Sequence, residues 1–236
     1  MLLHTGEVNS IRVWNKNKGV IATHSDSKSV MVWNIDKQKG VENKKDIRVP
    51  LPDIICNGHT DIAPYALAFN DKFPLIASGG QDNNVILWQL HEHFSSGTIK
   101  TSSNEIVIPD CNSRMLKNLQ TYIPDRVHDS SITINECTKF IGHKGYIESV
   151  AFNPINENEL CSVGLDKQII LWDCRTSHAP ISVMGDIHTA DINCLDWCKS
   201  DSNIFATGSS DKSVAIIDRR KVYRITTVAA HNEIIP

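Results

Sequence analysis

The stretch His143–Trp172, HKGYIESVAFNPINENELCSVGLDKQIILW, decides how the chain is read. It opens on a histidine, passes through an apolar strand candidate and a small-hydroxyl segment (Cys161-Ser162), turns at Asp166, and ends a second apolar run in Trp172. The same 29-residue step separates His4 from Trp33, His59 from Trp88 and His188 from Ile217, with Ala22-Thr23, Ala77-Ser78 and Ala206-Thr207 in the hydroxyl slot. A fixed period inside one chain marks a repeat architecture.

In the second and third repeats an aspartate stands six residues before the tryptophan (Asp82 and Trp88, Asp166 and Trp172), and a hydroxyl stands four residues before that aspartate (Ser78, Ser162). Histidine, hydroxyl, carboxylate and indole at this spacing can form one hydrogen-bonded chain that ties the turn to the inner strands, satisfying groups that are costly to bury unpaired. Repeat four keeps His188, Thr207 and Asp211 but has Ile217 in the tryptophan slot. Repeat one keeps His4, Thr23 and Trp33 but has Ser27 in the aspartate slot, with Asp26 one residue early. These two units are expected to be held less tightly. The same residue types could form a catalytic triad, but a nucleophile is needed once rather than in every repeat, and no Gly-x-Ser-x-Gly elbow is present. No phosphate-cradling loop or metal cluster is evident either, so the expectation is no enzyme, no cofactor and no metal.

The unit resembles a WD40 blade, and the expected fold is all-β: a partial WD40 β-propeller of about four to five blades from a seven-bladed ring. Repeats run 4–33, 59–88, 143–172 and 188–217, and the start of a fifth lies at His231. Each blade offers three inner strands, for example Ser149 to Asn153, Glu159 to Val163 and Gln168 to Asp173. Outer strands are expected around Asp53 to Cys56, Thr138 to Ile141, Ile181 to Met184 and Tyr223 to Val228, because a WD repeat carries the last strand of one blade and the first three of the next. Residues 91–138 form an insertion without clear periodicity, read as a mobile excursion at a blade edge.

At 236 residues, 41% hydrophobic and 22% charged, the composition is that of an ordinary globular chain. A net charge of −3 offers no basic face for direct nucleic-acid binding. Apolar runs fall short of the ~20 residues that span a bilayer, and Met1 is followed by His4 and Glu7 rather than a signal segment, so no membrane association is expected. Cys161, Cys174 and Cys194 are read as small hydrophobes within strands; Cys194 and Cys198 lack a second pair at zinc-ligand spacing.

The strings His4-Thr-Gly-Glu-Val-Asn9, Ile21-Ala-Thr-His24, Ser78-Gly-Gly-Gln-Asp82, Cys161-Ser-Val-Gly164, Leu171-Trp-Asp-Cys-Arg175, His188-Thr-Ala-Asp-Ile-Asn-Cys194 and Ala206-Thr-Gly-Ser209 resemble, in order and register, the retinoblastoma-associated, Msi-type histone-binding WD40 proteins, most similarly the plant FVE subclass. The resemblance implies a nuclear chromatin scaffold that carries histones into deacetylase and Polycomb-type complexes and, in plants, regulates flowering. It implies that a histone H3 tail is held on an acidic top face. The family's histone H4 helix binds elements not found in this sequence.

On that top face the resemblance places Glu7, Asn9, Tyr65, Glu148, Asp191, Asn193 and Glu233, three to six residues after each repeat histidine or just inside the fifth repeat; Pro64 falls where the family carries glutamate. Carboxylates around a rim would attract lysine and arginine of a tail. A second surface is implied by Trp172, Asp173 and Arg175, which resemble the Trp-Asp-x-Arg box that docks WD40 proteins on the damaged-DNA-binding adaptor of cullin-RING ubiquitin ligases; Asp218 and Arg220 echo it. Trp14, Phe69, Phe152 and Trp197 could be proposed as a methyl-lysine cage, but their recurrence at one strand position makes them core.

Overall fold

Short apolar runs punctuated by Gly, Asn, Asp and Pro give strands throughout the computed structural model, and the only helical elements among the described residues are two 3-10 turns, Ile35–Lys37 and His91–His93. The structure describes residues 4, 6–37, 47–95, 98–99, 105–108, 131–176, 178–221 and 223–229.

Strands β1 (Val8–Trp14), β2 (Asn17–Ser25) and β3 (Val30–Asn34) form an antiparallel meander; the chain leaves it through β4 (Ile47–Pro50) and returns to β3 as the outer strand β5 (Ile54–Cys56). The second sheet begins with β6 (Leu67–Phe69), β7 (Leu75–Gly79) and β8 (Asn84–Gln89). A small hairpin follows, β9 (Phe94–Ser95) with β10 (Thr98–Ile99), and then β11 (Glu105–Ile108), β12 (Ile132–Ile134) and β13 (Thr138–Ile141), the last of which closes the second sheet against β8. The third sheet runs β14 (Ile147–Phe152), β15 (Glu159–Gly164), β16 (Ile169–Asp173), β17 (Ser182–Met184). The fourth runs β18 (Ile192–Trp197), β19 (Ile204–Ser209), β20 (Ser213–Asp218), β21 (Tyr223–Ala229). Each of the outer strands β5, β13 and β17 precedes the histidine of the next repeat, which is the phasing the sequence led one to expect.

Three apolar clusters lie between the four sheets, one per junction. Trp14, Val20, Val32 and Ile54 meet Leu67, Ile76 and Trp88 at the first. Leu87 and Phe140 meet Phe152, Leu160 and Trp172 at the second, and Val163, Leu171 and Met184 meet Trp197, Phe205 and Ile217 at the third. Middle strands are therefore buried on both faces, which is why β3 and β15 are buried at every position and show no two-residue alternation. The four inner strands stand side by side, β1 against β6, β6 against β14 and β14 against β18. Their lower halves line a cavity of about 240 Å³ edged by Arg12, Asn15, Asp71, Ser149 and Asp196. This is a partial propeller.

The described parts of residues 91–138 include strands where an aperiodic excursion was expected. β11 pairs antiparallel with β4, and β12 pairs parallel with β5, giving the first blade a fifth strand and covering its edge. Strands of four and three residues are too short for a two-residue period to register in the sequence. Residues 109–130 and the fifth repeat from His231 lie outside the described residues. The cysteine reading holds for Cys161, which is buried, but Cys194 is exposed on β18 and Cys174 follows β16 only partly buried. Trp14 and Trp197 are buried, their indoles donating to the carbonyls of Asn70 (3.0 Å) and Ala151 (3.2 Å) on the neighbouring blade, so the aromatic set stitches blades together and makes no cage.

Candidate functional site

The third blade shows how the repeat histidines position the loops that enter the inner strands. The Nδ1–H of His143 donates to Asp166 (3.0 and 2.9 Å), leaving Nε2 to accept the Ser162 hydroxyl (2.8 Å), whose oxygen accepts the Trp172 indole N–H (2.8 Å). Asp166 also accepts the amides of Lys144 (2.8 Å) and Gln168 (3.2 Å). Burial alone would push its carboxyl up, but the His143 bond and these amides outweigh it and hold the group below its ordinary value.

The other blades vary this relay. In the fourth, His188 joins Asp211 (3.0 Å) to Thr207 (2.9 Å), and the Ser213 hydroxyl donates to Asp211 (2.6 Å), while Ile217 fills the indole's place without a polar group. In the first, His4 and the Trp33 indole share Thr23 (both 2.8 Å), but Ser27 bonds Ser29, Asp26 accepts from Asn9 (2.7 Å), and His4 Nδ1 is buried without a partner. The second is rewired: His59 bonds Asp82 (3.1 Å) and Ser78 (3.0 Å), but Trp88 donates to the Asn57 carbonyl (2.7 Å), and Ser78 instead meets His24 Nδ1 (3.2 Å) from the first blade. His24 is wholly buried, and burial followed by the nearby His59 lowers its pKa to about 3, so it is neutral. Sequence reasoning missed His24; its one signal was an imidazole after the hydroxyl where the other blades carry Gly79, Val163 and Gly208.

Backbone bonds then fix the loops on one face. The turn amides of Asp26, Leu165 and Ser210 donate to the carbonyls of Glu7 (3.1 Å), Tyr146 (2.9 Å) and Asp191 (2.9 Å). Across blades, Ala63 N–H reaches Ser27 (3.1 Å), Ile147 N–H reaches Gly80 (3.3 Å), and the ammonium groups of Lys28 and Lys167 reach the carbonyls of Thr60 (2.6 Å) and Thr189 (2.9 Å).

The resemblance-derived residues occupy this face at the starts of the inner strands. Glu7 and Asn9, both exposed, flank the start of β1 and form a group with Asp26. Tyr65, 52% exposed, precedes β6, and its neighbour Pro64 is buried. Glu148 is the second residue of β14, Asp191 stands immediately before β18, and Asn193 is paired with Ser210 (3.2 Å). The structure brings Glu148 and Asp191 together from adjacent blades. Burial first, then the Asp191 charge, raises the Glu148 pKa, and neither carboxylate meets a cationic side chain among the described residues. Glu233 lies outside the described residues.

At the opposite strand ends, Arg175 forks onto its neighbour Asp173 (3.0 and 2.7 Å), and Arg220 does the same to Asp218 (2.8 and 2.5 Å). Trp172 does not join a docking surface as the box pattern implied: its ring is wholly buried and its N–H is spent on Ser162. Among the described residues no group of three or more His, Cys, Asp or Glu is arranged to hold a metal ion, and no helix is long and apolar enough to cross a membrane.

Antiparallel sheets of four strands, with a fifth added to the first, each carrying a repeat histidine bonded to a strand hydroxyl, are the arrangement of WD40 repeats. The WD domain, G-beta repeat family matches residues 52–89, 135–173 and 181–218, each span beginning before or within an outer strand, as the phasing requires. The chain is 35% identical over 221 residues, 94% of its length, to WD-40 repeat-containing protein MSI4 of Arabidopsis thaliana, and it spans 41% of that relative. The chain thus carries WD40 repeats, and it is similar to a relative of the Msi type.

Proposed function

We propose that this protein is a chromatin-associated scaffold that holds the basic histone H3 tail at the mouth of its propeller and serves as a subunit of deacetylase or Polycomb-type repressor complexes in the nucleus. Regulation of flowering in plants accompanies this reading through the resemblance to the FVE subclass. The observation that carries it is the Glu148–Asp191 pair: two close carboxylates that meet no cationic side chain among the described residues, one half-buried. A lysine or arginine entering between them would relieve their repulsion and accept no competition from a resident cation. Asn9 and Asn193 are polar side chains at the same strand starts, and Tyr65 offers an exposed ring to the aliphatic part of a side chain. The reading is non-catalytic, since the imidazoles of His59, His143 and His188 have no exposed side-chain surface.

The test is fluorescence anisotropy with a labelled H3 N-terminal peptide. The double variant Glu148→Gln, Asp191→Asn is expected to weaken binding about tenfold or more, the scale of one lost charge-assisted contact; unchanged affinity would remove the assignment. A second reading, a substrate receptor of a cullin-RING ligase, is favoured by one observation: the Arg175 side chain is 66% exposed and held in a fixed fork by Asp173. Under that reading Asp173 and Arg175 make the contact with the adaptor, and Arg175→Ala abolishes adaptor pull-down.

A further inference from the structure

At the strand ends opposite the mouth, the third and fourth blades part to leave a cavity of about 520 Å³. This is the size of many small-ligand sites, which run roughly 300–1,000 Å³ and combine an apolar wall with a few directed polar groups. One wall is aliphatic: Leu171, and Ile181, which is 55% exposed and directly precedes β17. The facing wall carries Arg219 and Arg220. Arg219 is committed on one side only, to the buried Glu159 carboxylate through Nη1 and to the Asn203 amide oxygen through Nε (3.3 Å). Arg220 is committed through Nε and Nη2 to Asp218, whose side chain is only 5% exposed. The remaining groups, Nη2 of Arg219 and Nη1 of Arg220, have no acceptor among the described residues.

We propose that this cavity binds an aliphatic carboxylate, its hydrocarbon part against Leu171 and Ile181 and its carboxylate accepting N–H bonds from Arg219 and Arg220. The two carboxylates already present are what make this specific. They hold the guanidinium planes and neutralise most of their charge, so a bare anion gains little. An acid that also buries hydrocarbon gains from both walls. This site is separate from the mouth and does not depend on the histone reading.

Such an acid could be a lipid or a peptide C-terminus, and isothermal titration with decanoate and with N-acetyl-leucyl-leucine separates the two sources; N-acetyl-leucyl-leucine amide is the uncharged control. The expected result is one-site binding of at least one of the acids and none of the amide. Ile181→Glu, a surface change that sets a like charge in the aliphatic wall, is expected to weaken it at least tenfold. Arg220→Gln is expected to do the same, and Glu148→Gln at the mouth is expected to have no effect. Binding of decanoate alone identifies a lipid ligand, and binding of the dipeptide acid identifies a chain terminus. Absence of saturable binding by either acid, or equal binding to Ile181→Glu with an unchanged melting curve, overturns the proposal. Should Arg220→Gln melt early through exposure of Asp218, Ile181→Glu decides alone.

Discussion

A single hydroxyl, Ser162, joins imidazole to indole in the third blade. Ser162→Ala leaves the His143 Nε2 and the Trp172 N–H without their partner in a wholly buried setting. The loss expected in urea unfolding is about 1–3 kcal/mol, the range for an unsatisfied buried group. Gly164 is required for a different reason: a Cβ built there would overlap the Tyr146 carbonyl, and both partners are backbone. Gly164→Ala is therefore expected to destabilise more than Ser162→Ala in the same assay. The opposite sign is expected at Asn83, which holds φ at 62° while its Oδ1 is buried without a partner. Asn83→Gly relieves both and should raise the melting temperature, by the equivalent of about 0.5–1 kcal/mol. The relay residues could be read in the sequence because four polar types recur at fixed spacing. The Ser78–His24 bond could not, since it depends on which blades become neighbours.

Blades differ in how completely their relay is built, and the difference predicts what each will tolerate. The first lacks a carboxylate for His4, so Ser27→Asp supplies the acceptor that Asp82, Asp166 and Asp211 supply elsewhere at 2.9–3.1 Å. A gain of about 1 kcal/mol is expected by thermal unfolding, the net worth of one hydrogen bond. Burial works against the ionised form of all three aspartates. Bonds from the histidines, the loop amides and, for Asp211, the Ser213 hydroxyl nonetheless hold them below the ordinary value. Their contribution is therefore present above the unfolded-state pKa of about 3.9 and is lost as pH falls through that value toward the native ones. Unfolding free energy measured from pH 7 to pH 3 should drop more steeply for the unaltered chain than for Asp166→Asn. Strands flanked by turns were legible at this scale, including the outer strands that precede each histidine. β12 was not: a parallel partner for β5 supplied from residues far along the chain leaves no local pattern.

The whole molecule depends on the junctions between blades, where three apolar clusters, the indoles of Trp14 and Trp197 and the ammonium groups of Lys28 and Lys167 cross from one sheet to the next. That arrangement turns carboxylates scattered along the sequence into neighbours. The rim positions could be named from the spacing after each histidine and the family resemblance, but not the fact that Glu148 and Asp191 come together while Glu7 and Asn9 form a separate group with Asp26. Because Glu148 is raised above its ordinary value, its ionised form costs stability at neutral pH, and the cost is relieved as pH falls. Glu148→Gln is thus expected to leave the fold as stable or slightly more so while weakening capture of a basic tail.

The most direct test of the acid-lined mouth is a double-mutant cycle on H3-peptide affinity, comparing Glu148→Gln, Asp191→Asn and the two combined. If both carboxylates hold one cation, each single change weakens binding and their combined effect departs clearly from the sum. Strictly additive effects, or none, would contradict the convergence of these blades on a shared ligand.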